Sequence, residues 1–310
     1  MSEVSAATEP TRATSRATSR VTVDWPTVGL ILVCYGAWAV GLWLLPLWAG
    51  VPLVILAQVL HSSLSHEVLH GHPFPWRRVN EATMALAIGV FFPFNRFRDL
   101  HLAHHRDPRL TDPYDDPESN YFDPQVWDRL PNWRRRIYRA NNTLLGRMLL
   151  GPIIGQVHFM IEETGLALKV DRAVLWAWAL HLPGAALVIW LVSLSPMPVW
   201  VYLLASYAAM AILKIRTFLE HRAHDRARAR TVIVEDRGPL AFLFLYNNLH
   251  VVHHMNPNAP WYHMPALYRA GRDRYLAINE GYRYRSYAEV FRLHFLKAKD
   301  PVPHPLWPLR

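Results

Sequence analysis

The sequence predicts an all-α integral membrane protein with four transmembrane helices in two hairpins, completed by interfacial helices and a cytoplasmic histidine-rich cap. Three observations carry this prediction. Apolar residues make up 52% of the 310 and are concentrated in long runs. Basic residues are confined to one side of those runs. The 17 histidines fall largely into short, spaced groups.

Four apolar runs are long enough to cross the roughly 30 Å of hydrocarbon in a bilayer. They span residues 28–48, 51–69, 174–194 and 198–215. The first two runs follow each other almost directly, and so do the last two. Each pair is therefore predicted to form a tight transmembrane hairpin.

The distribution of charge predicts the orientation of these hairpins. The turn inside each hairpin has no Lys or Arg, whereas residues 71–173 have 14 and residues 216–310 have 15. The positive-inside rule then places both termini and the middle segment in the cytoplasm, with a bacterial inner membrane as the expected location. A net charge of +9 also suits nucleic acid, but this one-sided pattern favours a lipid bilayer as the partner. It also argues against a soluble protein with four buried helices.

The remaining segments complete the predicted organisation. Residues 1–24, rich in Ser, Thr and Arg, are predicted to be a disordered cytoplasmic tail. Residues 25–265 form the predicted membrane domain with its metal site, and residues 266–310 a cytoplasmic C-terminal extension. The apolar segments 82–94 and 148–168 are predicted to lie in or dip into the membrane interface.

Four histidine groups are predicted to converge on the cytoplasmic side. They read HEVLH at 66–70, HLAHH at 101–105, EHRAH at 220–224 and NNLHVVHH at 247–254. Residues three or four apart share a helix face, so each group aims its imidazoles in one direction. Imidazole binds Fe, Zn, Cu and Ni well. The single cysteine, Cys34, excludes an iron–sulfur cluster within one chain, and the number of imidazoles favours two metal ions.

The motifs HEVLHGHP, HLAHH, EHRAH and NNLHVVHH, in this order, resemble those of the membrane fatty acid desaturase/hydroxylase superfamily. The resemblance implies a non-haem di-iron centre, with O2 as co-substrate. The implied ligands are His66, His70, His101, His104, His105, His221, His250, His253 and His254. Weaker metal-binding or supporting candidates are His72, His224, Asn247 and Asn248. The resemblance implies that one of the two asparagines, Asn247 or Asn248, would hold a metal-bound water.

Further motifs suggest a substrate class. The HEVLHGHP motif, the LTDPYDDPES loop and RTFLEHRA are similar to a bacterial branch that includes the desaturase acting on dihydrorhizobitoxine, an amino-acid metabolite. The resemblance implies O2-dependent desaturation of an unactivated C–C bond in a lipid acyl chain or in a lipid-like or amino-acid metabolite. Hydroxylation by the same centre is the alternative. A histidine-rich metal transporter is the alternative from another class, but its histidines would be expected within the spans.

Two electrons must come from another protein. The sequence has no cysteines for a cluster and no glycine fingerprint for a nucleotide, so a separate donor such as a ferredoxin with its reductase is expected. Basic residues 134–136 and 226–230 are candidate docks for an acidic donor. The acidic residues of the 112–118 loop are predicted to form a solvated turn, with attraction of a substrate ammonium group as the alternative.

Overall fold

The structure is a computed structural model that describes residues 23–107 and 109–308. The described chain is mostly helical, with one pair of two-residue strands. The helices are α1 (Trp25–Trp43), α2 (Leu47–Leu69), α3 (Arg77–Thr83), α4 (Phe94–Arg106), α5 (Pro124–Arg129), α6 (Asn132–Asn141), α7 (Leu144–Leu168), α8 (Arg172–Ser193), α9 (Val199–Thr217), α10 (Pro239–Leu243), α11 (His250–Met255), α12 (Met264–Ile278) and α13 (Tyr287–His294). The strands are β1 (Ile233–Val234) and β2 (Arg283–Tyr284).

The first predicted hairpin is formed by α1 and α2. The α1 helix begins after Asp24, whose carboxylate accepts a hydrogen bond from the Thr27 amide at 3.3 Å and caps the helix. A Cβ on Gly41 would lie 2.8 Å from Val54 Cγ2, so glycine is needed where the two helices approach this closely. Residues 1–22 of the predicted disordered tail lie outside the described residues.

The second hairpin, α8 and α9, is tied to the first by hydrogen bonds inside the apolar bundle. Trp38 Nε1 donates to the Tyr202 hydroxyl at 2.9 Å, and Gln58 Nε2 donates to Ser206 Oγ at 2.9 Å. All four side chains are buried. Such bonds are stronger in apolar surroundings than in water, so they fix how the hairpins pack.

The number of predicted spans is not confirmed. Among the described residues, five helices are long and apolar enough to cross a membrane: α1, α2, α7, α8 and α9. The additional helix, α7, extends the segment 148–168 that the sequence predicts to be interfacial. Its 25 residues are as apolar as those of a transmembrane helix. An interfacial helix also has an apolar face, which it buries in the lipid. Composition by itself therefore does not separate the two arrangements.

Residues 84–93, between α3 and α4, enter the helix bundle. The Ile88 carbonyl accepts hydrogen bonds from Gln58 Nε2 at 3.1 Å and from the Tyr202 hydroxyl at 2.5 Å. His181 Nε2 lies 2.9 Å from the Val90 carbonyl. Gln58 and His181 lie near the middle of α2 and α8, so this loop reaches well inside the bundle. The position of residues 82–94 at the membrane interface stays a prediction.

Within the described chain, the residues that follow α9 fold against the histidine segments. The β1 and β2 strands pair in parallel, with Ile233 opposite Arg283. At the end of β1, Glu235 contacts Tyr268, Arg272 and Arg283, which lie on α12 and β2. Burial raises the pKa of Glu235, but these hydrogen bonds outweigh it and lower the pKa to about 2. The predicted boundary at residue 265 stays a prediction.

Candidate metal centre

The nine histidines that the sequence predicts as ligands lie together in two groups. In each group, one nitrogen of every histidine lies within 4.8 Å of the others. The first group has five histidines, His66, His70, His101, His105 and His253, and the second has four, His104, His221, His250 and His254. Their role as ligands stays a prediction, which this geometry supports.

Helix geometry distributes the histidines between the groups. His66 and His70 lie one turn apart at the end of α2. In α4, successive residues are rotated by about 100°, so His104 and His105 point to different groups. In α11 the same geometry sends His253 to the first group and His250 and His254 to the second. His221 follows α9, and its backbone forms an antiparallel β-bridge with Thr231.

The nitrogens of the first group converge. His105 Nε2 lies 3.0 Å from His101 Nε2 and 2.9 Å from His253 Nε2. The Nε2 atoms of His66 and His70 are buried and have no hydrogen-bond partner among the described residues. Buried polar atoms almost always have a partner in folded proteins, so this convergence fits a bound cation.

The second group is built in the same way. His250 Nε2 lies 3.1 Å from both His221 Nε2 and His254 Nε2. His104 Nε2 is buried and has no partner within the described chain. Two imidazole nitrogens at this distance need a proton or a metal ion between their lone pairs, and a neutral ring has one proton for its two nitrogens. The donor set of both groups therefore fits divalent transition metal ions.

Carboxylate and amide oxygens orient three of the rings. His101 Nδ1 lies 2.7 Å from Glu118 Oε1, and His104 Nδ1 lies 2.7 Å from Asp116 Oδ1. His250 Nδ1 lies 3.1 Å from an amide oxygen, that of Asn247. An acceptor at Nδ1 places the ring proton there and leaves the lone pair of Nε2 free for a metal.

Burial keeps most of these rings neutral. Burial and the neighbouring imidazoles lower the pKa of His70 to about 2 and of His105 to about 3. The pKa of His253 is lowered well below its usual value for the same reasons. For His104, burial lowers the pKa, but the carboxylates of Glu118 and Asp116 outweigh it and raise the pKa to about 9. The two carboxylates thus favour a positive charge at His104, and the rings whose pKa is lowered are neutral and ready to bind metal at pH 7.

Two weaker candidates lie outside both groups. His72 Nδ1 lies 3.0 Å from Asp24, and its Nε2 lies 3.2 Å from the Asn258 carbonyl. Burial lowers the pKa of His72, but these contacts produce a net rise, which favours a protonated ring over a metal ligand. His224 Nε2 lies 3.4 Å from Glu280. The structure therefore does not bring either histidine to the centre.

The two asparagine candidates have different environments. Asn247 contacts His250, and its Nδ2 is buried without a partner among the described residues. Asn248 donates from Nδ2 to the Val234 and Asp236 carbonyls, so it holds β1 in place. Of the pair, Asn247 is the one placed to support a ring or a metal-bound water.

The sequence missed the role of the acidic loop. It predicts a solvated turn there, but Asp116 is buried and Glu118 contacts His101. The Asp116 carboxylate also accepts a hydrogen bond from the Thr111 backbone N–H at 2.7 Å, so the loop folds around this side chain. The available signal was the concentration of four carboxylates near an HxxHH group, since histidine ligands commonly have carboxylate partners.

One cavity of about 570 Å3 reaches both groups. It is lined by His101 of the first group and His221 of the second, together with residues of α7, α9 and the acidic loop. A molecule in this cavity would lie beside both candidate metal positions, as a binding site for the reacting molecule requires.

The fold and the two groups define a membrane protein whose histidines are arranged so that they are able to hold metal. The chain belongs to the fatty acid desaturase family, whose family model matches residues 41–286. Proteins of this family typically have a non-haem di-iron centre. The chain is therefore an oxidoreductase of the membrane desaturase/hydroxylase type.

Two relatives are similar over much of their length. The chain is 27% identical over 234 residues to a beta-carotene ketolase of Paracoccus sp. (strain N81106 / MBIC 01143), covering 72% of this chain and 76% of the ketolase. It is 26% identical over 237 residues to a beta-carotene ketolase of Paracoccus sp. (strain PC1), with the same coverage.

Asp116→Asn should weaken metal binding at the second group. The carboxylate uses one oxygen for His104 Nδ1 and the other for the Thr111 backbone N–H. An asparagine side chain has only one oxygen and cannot accept both hydrogen bonds in this geometry, so the His104 ring loses its orientation. We expect metal affinity to fall by about 10–100-fold, the usual effect of losing such a partner. Competition with a chelator measures the change. The exposed neighbour Asp115→Asn is the control, and equal metal retention by both variants would contradict the prediction.

Proposed function

We propose that the protein is a membrane-bound non-haem di-iron oxidoreductase that uses O2 to desaturate an unactivated C–C bond. The proposed substrate is a lipid acyl chain or a lipid-like or amino-acid metabolite, with dihydrorhizobitoxine as one candidate. The observation that carries the proposal is the pair of histidine groups, five and four, that border one cavity. Nine imidazole donors in two adjacent sets suit two iron ions.

The chemistry is divided between the metals and the protein. Bound iron would supply the reduction of O2 and the oxidation of the C–H bond. The group that includes His101 would hold the first iron, and the group that includes His221 would hold the second. Glu118 and Asp116 fix the rings of His101 and His104, and the cavity positions the substrate carbon beside both groups.

Hydroxylation or ketone formation is the second candidate activity. The observation in its favour is the similarity to two proteins named beta-carotene ketolase. Both outcomes begin by removing a hydrogen from carbon. Loss of a second hydrogen from the neighbouring carbon gives an alkene, whereas transfer of oxygen to the first carbon gives an alcohol. The position of the substrate in the cavity decides between them.

We also propose that four of the five apolar helices cross a bacterial inner membrane, with both termini and the metal site in the cytoplasm. The two hairpins are antiparallel, so α8 begins on the side where α9 ends and where His221 lies. Only residues 169–171 separate α7 from α8, which puts the end of α7 on that side. The start of α7 is there too, because Arg147 lies 5.9 Å from the ring of Phe218.

Cysteine labelling tests this topology. In a Cys34→Ser background, Ser193→Cys at the end of α8 should react with a membrane-impermeant maleimide in intact cells. Lys169→Cys, between α7 and α8, should react only after the cells are permeabilised. Both positions are exposed. Labelling of Lys169→Cys in intact cells would mean that α7 crosses the membrane and would overturn the proposed topology.

The proposed electron donor is a separate acidic protein such as a ferredoxin. Arg134 and Arg136 are exposed on α6 and form a basic patch that suits such a partner. Replacing both with Glu should raise the KM for the reduced donor about tenfold, since charge complementarity mainly controls encounter. Turnover with a small chemical reductant is the control and should stay unchanged. An unaltered KM would exclude this patch as the dock.

Metal content and product analysis test the proposed activity. The purified protein should contain two irons per chain, one for each histidine group. Mass spectrometry of lipids and amino-acid metabolites, from cells with and without the gene under oxygen, should show a product that has lost two hydrogens. A product that has gained oxygen would favour the second candidate.

His253→Ala provides the matched variant for this test. It removes one donor of the first group and should abolish turnover and lower iron content while the protein still inserts into the membrane. His263→Ala, at an exposed histidine nearby, should retain both. A wild-type protein that holds zinc and consumes no oxygen would contradict the proposed function.

A further inference from the structure

The start of α1 contacts two segments that border the first histidine group. These segments are residues 71–73, which follow α2, and residues 256–262, which follow α11. The α1 helix has none of the nine predicted ligands. Its N-cap residue, Asp24, nevertheless contacts both segments, which capping of a helix does not require.

Asp24 holds the segment after α2 through its backbone and its side chain. The backbone N–H of Asp24 donates to the Pro73 carbonyl at 2.8 Å, and Asp24 Oδ2 lies 3.0 Å from His72 Nδ1. The side chains of Asp24 and His72 are only 9% and 16% exposed. A hydrogen bond to a carboxylate is stronger when it is shielded from water in this way. Asp24 therefore fixes the residues that directly follow His70.

The segment after α11 contacts Asp24 and its neighbour Thr27. The Tyr262 hydroxyl donates to Asp24 Oδ1 at 3.1 Å, and Trp261 Nε1 donates to Thr27 Oγ1 at 3.1 Å. Thr27 is buried, and its hydroxyl in turn donates to Asp24 Oδ2 at 2.7 Å. The loop after α11 is thus held at the start of α1.

The end of α2 and the loop after α11 also contact each other. The backbone N–H of Trp261 donates to Glu67 Oε2 at 3.0 Å, and His72 Nε2 lies 3.2 Å from the Asn258 carbonyl. Three distant parts of the chain therefore form one hydrogen-bonded unit. We call this unit the N-terminal clasp, and it comprises residues 24–27, 67–73 and 258–262.

The position of His70 depends on the residues that follow it. His70 is the C-cap of α2, and Gly71 has a φ of +103°, so the helix stops at this predicted ligand. The last residues of a helix have unpaired backbone carbonyls and fray readily. Contacts made by the next residues must therefore hold the His70 ring in place, and His72 and Pro73 make such contacts with Asp24.

The N-terminal clasp is expected to act on one histidine group more than on the other. In α2, both predicted ligands belong to the first group. Rings of the second group have partners elsewhere, since Asp116 contacts His104 and Asn247 contacts His250. Loss of the clasp should therefore loosen the first group while the second keeps its own supports.

We infer that Asp24 is a positioning residue that holds the end of α2 against the loop after α11 and thereby keeps His66 and His70 in the first group. Asp24 acts through His72 and Tyr262. The inference rests on the metal centre of the proposed function. If Asp24 served only to cap α1, asparagine could replace it, because the two residues cap helices about equally well.

Asp24→Asn separates positioning from capping. Asparagine keeps an oxygen for the Thr27 backbone N–H but places an NH2 group where Oδ2 faces His72. The metal-free full-length protein in detergent is titrated with Co2+, followed by equilibrium dialysis and by the visible absorption of the bound ion. The wild type should bind two Co2+ per chain, one for each histidine group. In Asp24→Asn, one site should bind about tenfold more weakly, the lower end of the effect of losing an outer partner of a ligand. The other site should keep its affinity.

Matched variants exclude a general loss of structure. Asp171 caps α8 as Asp24 caps α1, accepting from the Ala173 backbone N–H at 2.9 Å, so Asp171→Asn should behave as wild type. Adding His72→Gln to Asp24→Asn should weaken Co2+ binding no further, because both changes break the same contact. Unchanged Co2+ affinity at both sites of Asp24→Asn would overturn the inference, and so would equal weakening of both sites.

Amide hydrogen exchange of the metal-free protein tests the positioning independently of metal. Asp24→Asn should speed exchange in residues 66–73 and 256–262 relative to the wild type and to Asp171→Asn, because local opening becomes easier when a segment loses its contacts. Unchanged exchange in both segments would contradict the inference. A wild type that binds no Co2+ would count against the proposed function, while the exchange measurement would still decide whether Asp24 holds the two segments.

Discussion

The close packing of nine imidazoles is the constraint on which the rest of the structure depends. Within each group, ring nitrogens approach to about 3 Å, and the Nε2 atoms of His66, His70 and His104 are buried without a hydrogen-bond partner among the described residues. Two ring nitrogens at this distance repel through their lone pairs unless a proton or a metal ion lies between them. The protein therefore has to hold the rings in place before metal binds, and bound metal in turn stabilises the folded chain.

Distant parts of the chain provide that rigidity. Asp116 and Glu118 fix two rings from the acidic loop, and the chain's last described residues fix the loop. His304 contacts Thr111 Oγ1 at 3.1 Å, and its amide donates to the Phe122 carbonyl at 2.8 Å. Lys299 Nζ donates to the His221 carbonyl at 2.6 Å. The C-terminal residues thus act as a support for both histidine groups rather than as a separate appendage.

The cavity links the metal centre to substrate choice. One part of it offers the charges of Lys214 and Arg147, and another offers the rings of Phe92 and Phe97. A substrate in this cavity would lie with one of its carbons beside the histidines. Its position would select the carbon that is attacked, because small displacements of the reacting carbon change the outcome of the reaction.

The sequence by itself determined the membrane class, the two hairpins and the nine histidines, because apolar run length and helical spacing are local properties. The division of the histidines into five and four was decided by the tertiary structure, since it depends on how α4 and α11 are rotated relative to α2. The tertiary structure also decided the positions of His72 and His224. Their spacing in the sequence suits metal ligands, but they contact Asp24 and Glu280 outside both histidine groups. The buried role of Asp116 also depends on tertiary contacts around the acidic loop, which local patterns do not encode.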